Sequence, residues 1–176
     1  ISLLFLTLYS FSQQKTYTSL DKNDPIIFKG DYIIYQQDTI HLSPSSFYIN
    51  GQLTDEQTKK HPFVYNSINK AVKDLKNGTE ENPMILNIAP YVYWIDNPDD
   101  PKIRIPKTGS IPFGLEIKCD WLTFNGLTSN AENVVLACNR GQTIGAKGNF
   151  TMLHIDGQGT CSKNITFGNY CNVDLI

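Results

Sequence analysis

Apolar positions along this chain come in short runs, two to five residues long, that alternate with polar positions and are broken by Gly, Asn, Asp and Pro. That pattern predicts strands over most of the length. Pro25-Ile26-Ile27-Phe28, Tyr32-Ile33-Ile34-Tyr35 and Thr39-Ile40-His41-Leu42 are β-branched and aromatic, with Lys29-Gly30-Asp31 and Gln36-Gln37-Asp38 between them. Three strands joined by turns are expected there. Phe47-Tyr48-Ile49 adds a fourth, and Asn50-Gly51 after it is a strong turn dipeptide. Thr54-Asp55-Glu56-Gln57 has the form of a capping box and predicts a short helix ending before Pro62. The clearest helix runs from Ser67 to Lys76. Its apolar residues Ile68, Ala71, Val72 and Leu75 fall at i, i+3, i+4 and i+7. Ser67 suits its N-cap, and Asn77-Gly78 suits a left-handed stop.

Beyond Met84 the pattern is strand-like throughout. The runs are Met84–Ala89, Val92–Ile95, Leu115–Cys119, Trp121–Phe124, Val134–Ala137, Phe150–Ile155, Ile165–Phe167 and Val173–Leu175. Residues 96–114 carry four prolines and three aspartates and read as a long excursion. No helical period returns after Leu75, so a βαβ architecture is not expected, and the choice lies between a sandwich and a parallel β-helix. A self-similarity favours the second. Phe124–Leu136 lies over Ile155–Phe167 at an offset of 31, which superposes Gly126 on Gly157 and Asn133 on Asn164. A fixed step of this size is the mark of a solenoid. The expected fold is therefore all-β: a right-handed single-stranded parallel β-helix, with the helix at Ser67–Lys76 as its cap and a β-rich N-terminal extension. Asn133 and Asn164 are expected at corners, where asparagine tolerates left-handed geometry.

Phe63-Val64-Tyr65-Asn66-Ser67-Ile68-Asn69-Lys70-Ala71-Val72, followed by Met84-Ile85-Leu86-Asn87-Ile88-Ala89-Pro90-Tyr91-Val92-Tyr93, resembles the opening of pectinesterases. There a capping helix of the form f-x-x-I-x-x-A-[VI] precedes a strand ending I-x-P-G-x-Y-x-E. Over roughly residues 63–176 the chain is similar to the N-terminal part of a pectin lyase-like, Bacteroidetes-type secreted protein. The resemblance implies carboxylic ester hydrolysis on a uronate polysaccharide. It also departs from the family pattern: Tyr91 stands in place of the family's Gly and Ile95 in place of its Glu, while Pro90, Val92 and Tyr93 match. The family's catalytic groups, two Asp, a Gln pair and an Arg, belong to later coils, which are expected beyond Ile176. Gln37-Asp38-Thr39-Ile40 looks like one of their motifs but precedes the helix, and is read as a turn between strands.

Composition adds limits. Net charge is −2 with 18% charged residues, so neither nucleic acid nor an anionic membrane is indicated as a partner. Leu3-Leu4-Phe5-Leu6-Thr7-Leu8-Tyr9 has the length of a signal-peptide core, and Ser10-Phe11-Ser12 offers a cleavage site before Gln13. Residues 1–12 are thus expected to be a signal peptide truncated at its start. Residues 13–62 would be the extension and 63–176 the cap and first coils, the chain stopping within a strand pattern. Export follows, to the periplasm, cell surface or medium, with no transmembrane segment in the mature chain. Cys119, Cys138, Cys161 and Cys171 lack CxxC spacing, and His41, His61 and His154 are scattered. Buried cysteines, unpaired or loosely paired, are favoured over a zinc site, and no metal or cofactor is expected.

Four residues are candidates for contact with a pectin-like polysaccharide: Tyr93 from the matched motif, Arg140, His154 and Asp156. Arg140 sits with Lys147 in the Gly-rich stretch 139–148, which lacks P-loop spacing. A cationic loop there would suit uronate carboxylates, although a long turn is the plainer reading. His154 and Asp156 are two apart on a strand, pointing outward if Leu153 and Ile155 point inward. A plain polar face explains them more simply than a binding surface. Asp96, Asp99 and Asp100 are best explained as a solvated turn. The expected function is a pectinesterase-like esterase. The alternative is a non-catalytic polysaccharide-binding or surface protein, and a polysaccharide lyase ranks behind both. A monomer is expected.

Overall fold

The computed structural model describes residues 25–95, 114–138 and 151–170. The expectations for the leader, for Asp96, Asp99 and Asp100, for Arg140 and the Gly-rich stretch, and for Cys171 and the last residues lie outside the described residues. Strands β1 (Ile26–Phe28), β2 (Tyr32–Tyr35) and β3 (Asp38–His41) form an antiparallel sheet in chain order. Its turns fall where the sequence puts them, at Gly30 (φ 95°) and Gln36 (φ 56°).

The chain then enters β4 (Ser46–Ile49), α1 (Asp55–Thr58), β5 (Val64–Tyr65) and α2 (Ile68–Ala71). Helix α1 carries the predicted capping box. The Thr54 hydroxyl accepts from Gln57 N at 3.3 Å, and Gln57 Oε1 accepts from Thr54 N at 2.8 Å. Helix α2 starts as expected, with Ser67 Oγ accepting from Lys70 N at 3.3 Å. It is shorter than the period suggests: it tightens into a 3-10 turn over Val72–Asp74, and Leu75 is already extended (φ −61°, ψ 146°). Asn77-Gly78 is no left-handed stop. Gly78 N donates to Asp120 O at 2.9 Å and Asn77 Oδ1 accepts from Asp120 N at 3.1 Å, so this segment is drawn onto a later loop.

The remaining strands are β6 (Met84–Ile88), β7 (Tyr91–Trp94), β8 (Leu115–Lys118), β9 (Leu122–Gly126), β10 (Val134–Cys138), β11 (Leu153–Asp156), β12 (Cys161–Lys163) and β13 (Thr166–Asn169). They pair in parallel as three sheets: five strands in the order β12-β9-β6-β4-β5, three as β13-β10-β7 and two as β11-β8. Strand β4, from the stretch read as an extension, thus lies inside the largest sheet.

The expected right-handed single-stranded parallel β-helix is not what the structure shows. The strands form separate parallel sheets of mixed size, five, three and two strands, beside an antiparallel one. Nor is the pairing step constant, as the 31-residue offset required. Met84 lies opposite Leu122 and Leu115 opposite Leu153, both 38 positions on, while Tyr91 lies opposite Val134, 43 on. Only the β10–β13 pairing, from Val135 opposite Thr166 to Cys138 opposite Asn169, keeps the step of 31. Excursions of unequal length between strands set each step separately.

Two apolar cores result. The main one is shared by all three parallel sheets and α2, with Phe47, Leu86 and Phe124 in register across β4, β6 and β9. The second lies where the antiparallel sheet meets the largest sheet, through Ile26, Ile33, Tyr48 and Val64. Both faces of β4 are therefore buried, Phe47 and Ile49 toward one core and Tyr48 toward the other. Buried Asn87 is satisfied within the large sheet, donating to Phe47 O (3.1 Å) and Ser46 Oγ (3.2 Å) and accepting from Asn125 Nδ2 (2.9 Å). Of the two corner asparagines, Asn164 has positive φ (51°) and Asn133 does not; Asn133 instead donates to Thr128 Oγ1 at 3.2 Å. Among the described residues no helix is long and apolar enough to cross a membrane.

Candidate functional site

Tyr93 lies inside the core, 3% exposed. Its hydroxyl sits 2.8 Å from Ala89 O and 3.1 Å from Ile49 O, and accepts from Gly51 N at 3.2 Å. Burial pushes its phenol well above the usual range. The hydroxyl's proton and one of its lone pairs are engaged by backbone, which makes Tyr93 a tie between β4 and β7. Two other tyrosines are shifted upward as well: Tyr48 by burial, and Tyr65 by burial and by the Asp74 carboxylate it donates to.

His154 and Asp156 point outward, as their spacing predicts, while Leu153 and Ile155 pack against the main core. They lie opposite Glu116 and Lys118 of β8. Lys118 Nζ is 3.3 Å from Glu116 Oε1 with both side chains about half exposed or more, so water screens the pair. This is a charged, solvated sheet face. The structure brings these two candidates together and keeps Tyr93 apart from them. Among the described residues no three His, Cys, Asp or Glu side chains converge as metal ligands would. Cys119 and Cys138 are buried, as expected, and Cys161 is exposed.

The feature that the sequence pattern did not single out lies on the outer face of the β7-β10-β13 sheet. Trp94 is 43% exposed, Val92 44% and Tyr170 42%. The Trp94 and Tyr170 rings are 6.1 Å apart, inclined at 57°. The register between them explains the meeting: Trp94 lies opposite Ala137 and Ala137 opposite Gly168. Two small residues side by side leave a shallow floor. The Tyr170 ring folds back over Gly168, where a Cβ would come 2.7 Å from Cε2. Tyr170 N donates to Cys138 O at 2.8 Å, which holds the residue past the end of β13 against β10. The result is an aromatic surface of two rings with Val92 beside it, uncharged among the described residues.

A second opening of about 390 Å³ lies among β11, β12 and β13, lined by Phe124, Met152, Ile155, Cys161 and Phe167. Its lining joins side chains of the main core to the exposed Thr160, Cys161, Ser162 and Phe167.

The signal for Trp94 was present but ambiguous. Tyr91-Val92-Tyr93-Trp94 alternates, and a strand must send Tyr93 one way and Trp94 the other. Which of the two faces solvent depends on which sheet the strand joins, and the run itself does not say. No family model, curated protein or solved structure matches the chain.

Proposed function

We propose that this chain is a non-catalytic polysaccharide-binding protein, and that Trp94 and Tyr170 are its sugar-stacking residues. One observation carries the reading: two large aromatic rings, each more than two-fifths exposed, abutting over a floor of Ala137 and Gly168. Contiguous exposed apolar surface marks a contact site. A pyranose ring has a flat C–H face that suits the electron-rich face of an aromatic ring, and its hydroxyls remain in water. Both aromatics are anchored to strands, so little conformational entropy is lost on binding. The reading agrees with the export expected from Leu3–Tyr9. The ester hydrolysis implied by the resemblance draws no added support from the described residues, since Tyr93 is committed to backbone and His154 and Asp156 lie on a solvated face.

The magnitude follows from area. A Trp side chain offers about 250 Å², of which the exposed 43% is roughly 100 Å². Covering about half of that at ~25 cal/mol per Å² contributes about 1.3 kcal/mol, roughly tenfold in affinity. Trp94→Ala is therefore expected to weaken binding to a retained polysaccharide about tenfold while leaving the unfolding midpoint nearly unchanged. Affinity electrophoresis against pectin, xylan and β-glucan gels reads it. Equal retardation of wild type and variant in every gel that retards the wild type sinks the assignment, and so does retardation of the wild type by none.

A further inference from the structure

We infer that the groove between α1, β5 and the 3-10 turn at Val72–Asp74 is a binding site for an organic phosphate or sulfate monoester. The groove is open to solvent and offers about 590 Å³. Its floor is aromatic: Phe63 stacks on Phe47 at 5.9 Å and 8°, and Tyr65 meets the same ring at 5.0 Å and 43°. Its walls are cationic, with Lys59, Lys70 and Lys73 lining it against one carboxylate, Asp74.

The polar groups are sorted in a way that leaves positive charge for a ligand. Asp74 Oδ2 accepts from the Tyr65 hydroxyl at 2.8 Å, which fixes the ring that forms the floor. Lys70 is held by Asp55 Oδ1 at 2.5 Å and Asn66 Oδ1 at 3.0 Å. Lys59 and Lys73 have no carboxylate within ion-pair distance among the described residues. His61 closes the groove toward the antiparallel sheet. It meets the Phe28 ring edge-on at 5.1 Å, and Gly30 gives it room, since a Cβ there would stand 3.0 Å from its imidazole.

Backbone conformation points to the same place. Phe63 has φ 63°, in the left-handed region that a bulky side chain rarely adopts. Tyr48 N donates to Phe63 O at 2.9 Å, and that bond together with the stack on Phe47 holds the residue there. Strain of this kind concentrates at ligand sites. The cations are lysines. Ammonium groups act as compact point charges that can meet the oxygens of a phosphate or sulfate. The aromatic floor then takes the organic part of the ester.

Phenyl phosphate and phenyl sulfate are suitable probes, titrated into the isotope-labelled full chain and followed by backbone amide shifts. Saturable shifts at Lys59, Phe63, Tyr65 and Lys73 are expected with at least one ester, and the tighter of the two identifies the anion. The exposed double variant Lys59→Gln/Lys73→Gln should bind about tenfold more weakly. Trp94→Ala should bind as wild type, which keeps this site separate from the sugar-stacking surface. Absence of saturable shifts with both esters overturns the inference, as does unchanged affinity in the double variant. Phenol binding as tightly as the esters overturns it too.

Discussion

Gly126→Ala is expected to destabilise the chain by about 3 kcal/mol, a large fraction of the roughly 5–15 kcal/mol of an ordinary domain. A Cβ on Gly126 would overlap the carbonyl of Asn164, and both partners are backbone. Asn164 cannot easily give way, because it already sits at φ 51° in the corner that links β12 to β13. The same substitution at a permissive glycine would stabilise by about 0.4–1 kcal/mol through the unfolded state, so here the sign alone is diagnostic. Urea unfolding followed by far-UV circular dichroism reads it, with a markedly lower midpoint as the expected outcome. A Gly126→Ala protein with an unchanged or higher midpoint would mean that β9 and the Asn164 corner do not approach as described. Gly157 stands in the same relation to Cys119 O and should respond in the same direction.

Phe124→Ala should cost about 3–4 kcal/mol, near the lower part of the range for a buried aromatic. Phe124 is fully buried, packs in register with Leu86, and meets Phe167 edge-on at 6.0 Å and 85°. Two terms compete in setting the magnitude. Lost transfer energy and lost contacts push it upward. The opening of about 390 Å³ that Phe124 borders works the other way, because water can enter the vacated space and no sealed void remains. Leu86→Ala, at a position flanked by strands on both sides, provides the sealed counterpart. Chevron or equilibrium urea data on the pair would show the difference. A cost below about 1 kcal/mol for Phe124→Ala would mean that its ring is not part of the main core.

Local structure was legible in this sequence wherever a short-range rule applied. The capping box at Thr54 and Gln57, the Ser67 N-cap, the first four strands and the left-handed Asn164 all depend on neighbours a few residues away. The sheet arrangement was not legible, because parallel pairing is set by the lengths of the intervening excursions. The offset of 31 superposed Phe124 on Ile155, yet Phe124 lies opposite Ser162, 38 positions on. The same offset does hold for Leu136 and Phe167. Half of the apparent repeat is therefore register and half is coincidence of turn composition. Gly126 and Gly157 did align for a shared physical reason, close approach of another segment's carbonyl, although the two segments are different ones.

The candidate site was harder still. The sequence motif points to Tyr93, whereas the exposed ring of that strand is Trp94, and in a strand one residue is the difference between core and solvent. Tyr170 could not be foreseen as Trp94's neighbour, since its position depends on β13 pairing with β10 and on Gly168 leaving space for the ring.

The central claim is that sugar stacks on Trp94 and Tyr170, and an amide-shift footprint tests it most directly. Soluble xylo-, cello- and galacturono-oligosaccharides would be titrated into the isotope-labelled chain, following backbone amides and the Trp94 indole together. Saturable shifts confined to Val92, Trp94, Ala137, Gly168 and Tyr170, with at least one of the three sugars and absent in Trp94→Ala, are the predicted result. A saturable footprint centred on Glu116, Lys118, His154 and Asp156, or no saturable shift with any of the three, would contradict it.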